Sequence, residues 1–366
     1  MSDKITKRDA VYLAIVAELH DGKGWHGKGI PTTDFSRENL APVLFDHTFT
    51  DAGIILPDGT FHKTGERYAV NLNDGMPLGG AVGARYNTPS NMELFDLFTD
   101  ALAGGEYEVC SCGTVDSCIE FYVDAKSKAV RAAGRDIVPF VGLHRQFGGF
   151  SRVLVSGHNT VIQCGNTTRL FVMEAVKSDE LISTKNTLNV HDRLPKIKAA
   201  IERQHGVQGE FIRAMEAAAL VLVDKDTATR AYVGACVGEA EKKLSTRTVN
   251  RVNRLNELRI AGAGSEGQNA ADWFNGYTDY MSHESSGGLG GLEACKTPEE
   301  YAVRLADFKD KQWHSSEFGT AARVKADMAG LLFKAGEFNT EGFEGLVVRG
   351  RKAIDTAEKD VLAELA

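Results

Sequence analysis

Several chemistries are excluded by what this 366-residue chain lacks. It has no apolar run of 18 or more residues, and its longest strongly apolar piece, Ala217–Val223, stops at Asp224. The sequence therefore predicts no membrane-spanning helix. No Gly-x-x-x-x-Gly-Lys-Ser/Thr run is present, which removes the phosphate-cradling loop of the common nucleotidases. A Gly-x-Ser-x-Gly elbow is also missing, and Ser156-Gly157-His158-Asn159 sets a serine near a histidine in sequence only. The glycine pairs Gly79-Gly80 and Gly148-Gly149 lack the strand, helix and acidic residue of a dinucleotide fold, so both read as turns. Cysteines are few: Cys110, Cys112, Cys118, Cys164, Cys236 and Cys295 form no paired framework. With no cationic and apolar leader at the start, a reduced, cytoplasmic protein is expected.

Zinc-finger spacing is absent as well. Cys110 and Cys112, two apart on an expected strand, point to one face, and no second Cys or His pair follows. His26, His47 and His62 are scattered through a β-rich stretch and read as structural. No metal or cofactor is expected.

What is present is 43% apolar residues and a formal net charge of −8, enough chain for a substantial core and about two domains. Residues 1–21 read as a helical extension, with Val11, Ile15, Val16 and Leu19 at helical spacing. Residues 22–190 read as β-rich with one helix, Asn91–Leu102, capped near Ser90-Asn91 and stopped by Gly104-Gly105. Its expected strands include Ile119–Val123, Ile137–Val141, Val153–Val155 and Thr160–Cys164. Residues 191–334 read as helical (Leu194–Gln204, Gly209–Val223, Ala228–Leu244, Thr246–Ala261, Pro298–Phe308, Ala321–Lys334), and 335–366 as a tail helix. Segregated strands and helices predict an α+β fold: an antiparallel β-rich N-terminal half with helices on one face, then a helical C-terminal half.

One stretch breaks the acidic background. From Lys242 to Arg259 six cations (Lys242, Lys243, Arg247, Arg251, Arg254, Arg259) meet one acid, Glu257, leaving +5 there and −13 elsewhere. Arg247, Arg251 and Arg254 fall at i, i+4 and i+7 on one helical face, and guanidinium forks suit phosphates. The bland counterpart is a solvated face whose arginines pair with surface carboxylates. Trp273, Tyr277 and Tyr280 share a stripe just beyond, which serves as core or as a base-stacking platform.

An ordered series of motifs carries a resemblance. It runs through Trp25-His26-Gly27; Leu78–Tyr86, ending in Arg85-Tyr86; the helix from Asn91; Val161–Thr167 with Cys164, Asn166 and Thr167; Asn269–His283 with Asn275, Thr278, Asp279, Tyr280 and His283; and Gly319–Lys325. In this series the chain resembles the uncharacterised phage/plasmid-like protein family, a domain-of-unknown-function group of phages, plasmids and laterally transferred bacterial regions. It departs at Ser156-Gly157-His158-Asn159, where members often carry Asp-Gly-Ser, and at Val190-His191-Asp192, where they carry Arg-His-Thr. The resemblance implies a mobile-element protein in a bacterial host cytoplasm.

Three functions stand open. The first is nucleic-acid association, as a single-strand binder or annealer, with Lys243, Arg247, Arg251, Arg254 and Arg259 on phosphates and Trp273 or Tyr277 on bases. The second is a structural or host-interaction protein, such as a homo-oligomer, that uses the same face on a protein partner. The third is an enzyme drawing on His26, Asp279, His283 and Cys164.

Overall fold

In the computed structural model the described residues are 30–31, 35–103, 105–115, 120–147, 152–161, 166–169, 183–185, 192, 194–238, 244–261, 267–285, 292, 295–317 and 320–357. The expected N-terminal helix, Trp25, His26, Gly27, Cys164 and Lys243 lie outside them, as does the end of the tail.

Alternating apolar residues between Glu108 and Val161 build an antiparallel sheet. Its strands are β1 (Ile30–Pro31), β5 (Glu108–Val115), β6 (Glu120–Lys126), β7 (Val130–Ala132), β8 (Arg135–Gln146), β9 (Arg152–Val161), β10 (Asn166–Arg169) and β11 (Ser183–Lys185). They run in the order β1-β5-β6-β8-β9-β10, with β7 on β8 and β11 on β9. A smaller sheet joins β2 (His47–Ile55), β3 (Phe61–Asn71) and β4 (Val82–Gly83). The short helix α1 (Arg37–Leu40) precedes it, and α2 (Asn91–Leu102) follows with the predicted bounds. Its capping is reciprocal: Ser90 Oγ accepts from the Glu93 amide at 3.1 Å while the Ser90 amide donates to Glu93 Oε2 at 2.7 Å.

Two expected strands meet in the single strand β9, which takes in Val153–Val155 and Thr160-Val161, while Ile162–Cys164 lie outside the described residues. Gly157, which reads as turn punctuation, sits mid-strand because a Cβ there would collide with the Gln204 side chain. Cys110 also departs from the same-face expectation. The β5–β6 register shifts between Val109 and Ser111, which makes Cys110 the bulged residue, while Cys112 enters the core. Burial pushes both thiols up to about 12, so neither is a thiolate at neutral pH. Among the described residues no group of three His, Cys, Asp or Glu is placed to hold a metal.

The helical half comprises α3 (Leu194–Ala219), α4 (Lys225–Val237), α5 (Thr246–Ala261), α6 (Ala270–His283), α7 (Pro298–Glu317), α8 (Thr320–Leu332) and α9 (Thr340–Asp355), with a hairpin of β12 (Phe333–Lys334) and β13 (Glu337–Phe338). α3 continues through Gly206 and Gly209, where a break was expected, because both of its halves are buried against something. Ile197, Ala200 and Ile201 close the sheet core with Leu94 and Phe98 of α2, and Phe211, Met215 and Ala218 enter the helical core. Twenty-six residues at 1.5 Å rise give about 39 Å, enough to splint both cores together. α9 is embedded rather than trailing: Gly234 of α4 and Gly350 of α9 admit each other's helix so closely that a Cβ at either position would overlap backbone. The fold is α+β as expected, and among the described residues no helix is long and apolar enough to cross a membrane.

Candidate functional site

The basic helix is α5. Ser245 starts it by accepting from the Thr248 amide at 3.2 Å, and Val249, Val252, Leu255 and Leu258 bury its apolar side. The four described arginines meet four different fates. Arg247 is exposed. Arg254 is clamped: Nε lies 2.9 and 3.1 Å from the two oxygens of Glu284, Nη2 lies 2.7 Å from Oε1, and Nη1 reaches Glu257 at 2.8 Å. The Glu284 side chain is fully buried, so this is a desolvated bidentate pair, and its hydrogen bonds outweigh burial to raise the Arg254 pKa. Arg259 turns into the core, where Nη1 donates to the Gly267 carbonyl.

Arg251 is different. It lines a cleft of about 290 Å³ together with Cys236, Tyr277, Met281, Ser285, Ser315 and Thr320, among others. Its guanidinium carbon lies 5.7 Å from the centroid of the Tyr280 ring, and its Nε has no hydrogen-bond partner. Burial lowers its pKa, but Tyr280 and Cys236 outweigh that and leave it raised, so the guanidinium stays charged. Burial also pushes the Cys236 thiol up to about 11 against the pull of Arg251, so the cleft holds a cation facing hydroxyls and a neutral thiol. A larger hollow of about 870 Å³ shares Ala235, Tyr277 and Val324 with it.

Trp273 and Tyr277 do not form a base-stacking platform. The Trp273 indole is fully buried and stacked between Tyr232 (4.7 Å between centroids) and Tyr277 (5.8 Å), with Nε1 donating to the Ala228 carbonyl at 3.2 Å. Tyr277 is 3% exposed, and burial drives its phenol pKa upward. No ring face is left for a base. Tyr280 is half-buried beneath Arg251.

No family model, curated protein or solved structure matches this chain.

The resemblance segments converge only in part. β10, which carries Asn166 and Thr167, packs against α6 and α8, so three segments distant in sequence meet there. Around α6 lies a buried polar layer. Asp272 pairs with Arg135, and the Asn275 amide oxygen, in the orientation that satisfies both groups, accepts from Arg135 Nε at 2.6 Å. Thr278 donates to the Asn275 carbonyl at 3.1 Å, and Lys325 Nζ reaches Ser282 Oγ at 3.0 Å. His283 Nδ1 meets Asp279 Oδ1 at 2.8 Å, an orienting contact of the kind acid–base catalysis uses. Yet Asp279 and His283 are 2% and 1% exposed, and α6 offers Tyr277 and Met281 to the cleft rather than either of them. His26 and Cys164 are not described, so the enzymatic set is not assembled here. Arg85 is exposed and Tyr86 buried, both far from α6 in the fold's other half.

Sequence reasoning missed Glu284 as the partner of Arg254 and Arg135 as the partner of Asp272 and Asn275, and it gave Lys325, within the Gly319–Lys325 segment, no role. The signal for Arg135 was faint: a cation two residues ahead of the apolar run Ile137–Val141.

Proposed function

We propose that this protein associates with nucleic acid, single-stranded phage or plasmid DNA in the first instance, by admitting a backbone phosphate to the cleft beside Arg251. One observation carries the proposal: of the described arginines on α5, Arg251 alone turns into a concave cavity without an acid partner, and Arg247 lies exposed one turn away. Hydroxyls of Ser315 and Thr320 line the same hollow and suit phosphate oxygens, while Ser285 beside them spends its proton on the Met281 carbonyl at 2.8 Å. Arg254 and Arg259 serve the fold, and Trp273 and Tyr277 serve the core. This leaves a contact of about two phosphates, and with a chain charge of −8 the affinity is modest.

Fluorescence anisotropy with a labelled single-stranded oligonucleotide tests it. The slope of log affinity against log salt is expected near −1.4, since each phosphate contact on a single strand contributes about −0.7. Arg251→Gln should lower affinity about tenfold and bring the slope to about −0.7. Salt-insensitive binding, or an Arg251→Gln protein that binds like the parent, contradicts the proposal.

A different function, assembly with further copies of the chain, is favoured by the outer part of the β2–β3 hairpin. Ile54, Ile55, Leu56 and Phe61 are 58%, 74%, 41% and 49% exposed there, and β4 pairs only with Glu66 and Arg67, so the Phe61–Gly65 edge has no strand partner on that side among the described residues. Exposed apolar strand edges recruit partners. If this arm is the interface, Ile55→Asp with Phe61→Asp lowers the mass measured by light scattering; an unchanged mass removes this function.

A further inference from the structure

The Leu78–Tyr86 resemblance segment and the sheet junction beside it have no part in the Arg251 cleft. Arg145, on β8, follows Val141 and Leu143 in the inward alternation and is fully buried, opposite Phe121 on one side and Val153 on the other. Its guanidinium carbon lies 3.5 Å from the centroid of the Phe147 ring, and Nε, Nη1 and Nη2 all lack a hydrogen-bond partner. The small sheet contributes two further donors. His47 sets its ring edge-on to Phe147 at 5.1 Å, and its Nδ1 has no partner. Arg67 lies 4.4 Å over Phe49 and spends Nη2 on the Tyr86 carbonyl at 2.6 Å, leaving Nε without a partner. Gly79 has φ of +78°, and a Cβ there would stand 3.2 Å from the Phe147 carbonyl oxygen, so glycine is what lets this segment lie on the strand end.

Magnitudes decide what this means. Burying an unmatched cation is costly, and stacking on one aromatic ring offsets only part of that cost. Burial lowers the Arg145 pKa to about 9, partly opposed by Tyr86, so the group remains cationic at neutral pH. Burial lowers His47 to about 4, with Arg145 adding to the effect and Asp46 opposing it, so His47 is a neutral ring. The two guanidinium groups and the imidazole are linked through the Phe147 and Phe49 rings, which His47 touches at 5.1 and 5.4 Å, and among the described residues Arg145 forms no ion pair. The deficit is an anion.

We propose that the junction between the two sheets is an oxyanion site, in which Arg145 grips two oxygens of a phosphate or carboxylate while His47 and Arg67 complete the ring of donors. Guanidinium geometry matches both groups bidentately. The site is separate from the Arg251 cleft and does not depend on its function.

Thermal unfolding of the full chain, bearing Arg251→Gln to remove the other cleft, tests it with inorganic phosphate and with acetate as probes. Tm should rise by about 5 °C as the preferred anion reaches roughly one hundred times its Kd. A response to phosphate alone assigns a phosphoryl ligand, and a response to acetate alone assigns a carboxylate. Adding Arg145→Met should abolish the response while leaving Tm in anion-free buffer equal or higher, and Arg145→Lys should keep a response about tenfold weaker in Kd. No response to either anion, an equal response with Arg145→Met, or an Arg145→Met protein that fails to fold in anion-free buffer overturns the proposal.

Discussion

Around α6 and at the sheet junction the chain buries arginine in opposite ways. Arg254 and Arg135 each meet a carboxylate that is itself buried, Glu284 and Asp272, so their charge is matched within the fold. Arg145 meets an aromatic ring and, among the described residues, no acid. The first arrangement makes a structure that is damaged by losing either partner. The second holds a charge that the fold alone does not require. Burial of a cation is therefore not a functional signal until its partner is known, and a stripe of arginines on one helix divides on the same criterion.

The largest expected effect is at the matched pair. Arg254→Ala leaves the Glu284 carboxylate buried without its bidentate guanidinium, and should lower unfolding free energy by about 3–5 kcal/mol in urea titrations. Joint replacement by Arg254→Met with Glu284→Leu should restore much of that loss; no restoration would mean that Arg254 contributes packing rather than charge. Trp273→Ala should cost a similar amount, about 3–5 kcal/mol, while oligonucleotide affinity per folded molecule stays unchanged. A selective loss of affinity there would return the aromatic stripe to the binding surface.

At the unmatched end, the effect is a pH dependence. His47 is neutral in the folded state down to about pH 4 but titrates near 6.5 when unfolded. The unfolded chain therefore binds the extra proton between those values, and stability present above about pH 6.5 is lost as pH falls toward 4. The contribution is about 3 kcal/mol, and His47→Gln should flatten that part of the profile. An unchanged profile would mean that His47 is solvated. The smallest effect is at the exposed Arg247, where Arg247→Gln should reduce oligonucleotide affinity severalfold and leave stability within about 0.5 kcal/mol.

Local physics was legible in the sequence, and long-range matching was not. The capping of α2 by Ser90 and Glu93 and the start of α5 follow from neighbours three residues apart, and both lie where the residue pattern places them. The glycines misled in a consistent way. Gly157 and Gly209 read as punctuation, yet β9 and α3 run through them, because tertiary packing and not propensity decides continuity there. Arg254 looked available because its acid arrives thirty residues later, at the far end of α6. The Arg145 anomaly had a signal that was passed over: Val141, Leu143, Arg145 and Phe147 alternate, which sets a cation at a core position.

One comparison of three variants tests the account most directly: urea unfolding of Arg254→Met, Arg251→Met and Arg145→Met in anion-free buffer at neutral pH. Matched charge predicts a loss of several kcal/mol for the first, little change for the second, and equal or greater stability for the third. An Arg145→Met protein as damaged as Arg254→Met would contradict it, since both arginines would then be structural.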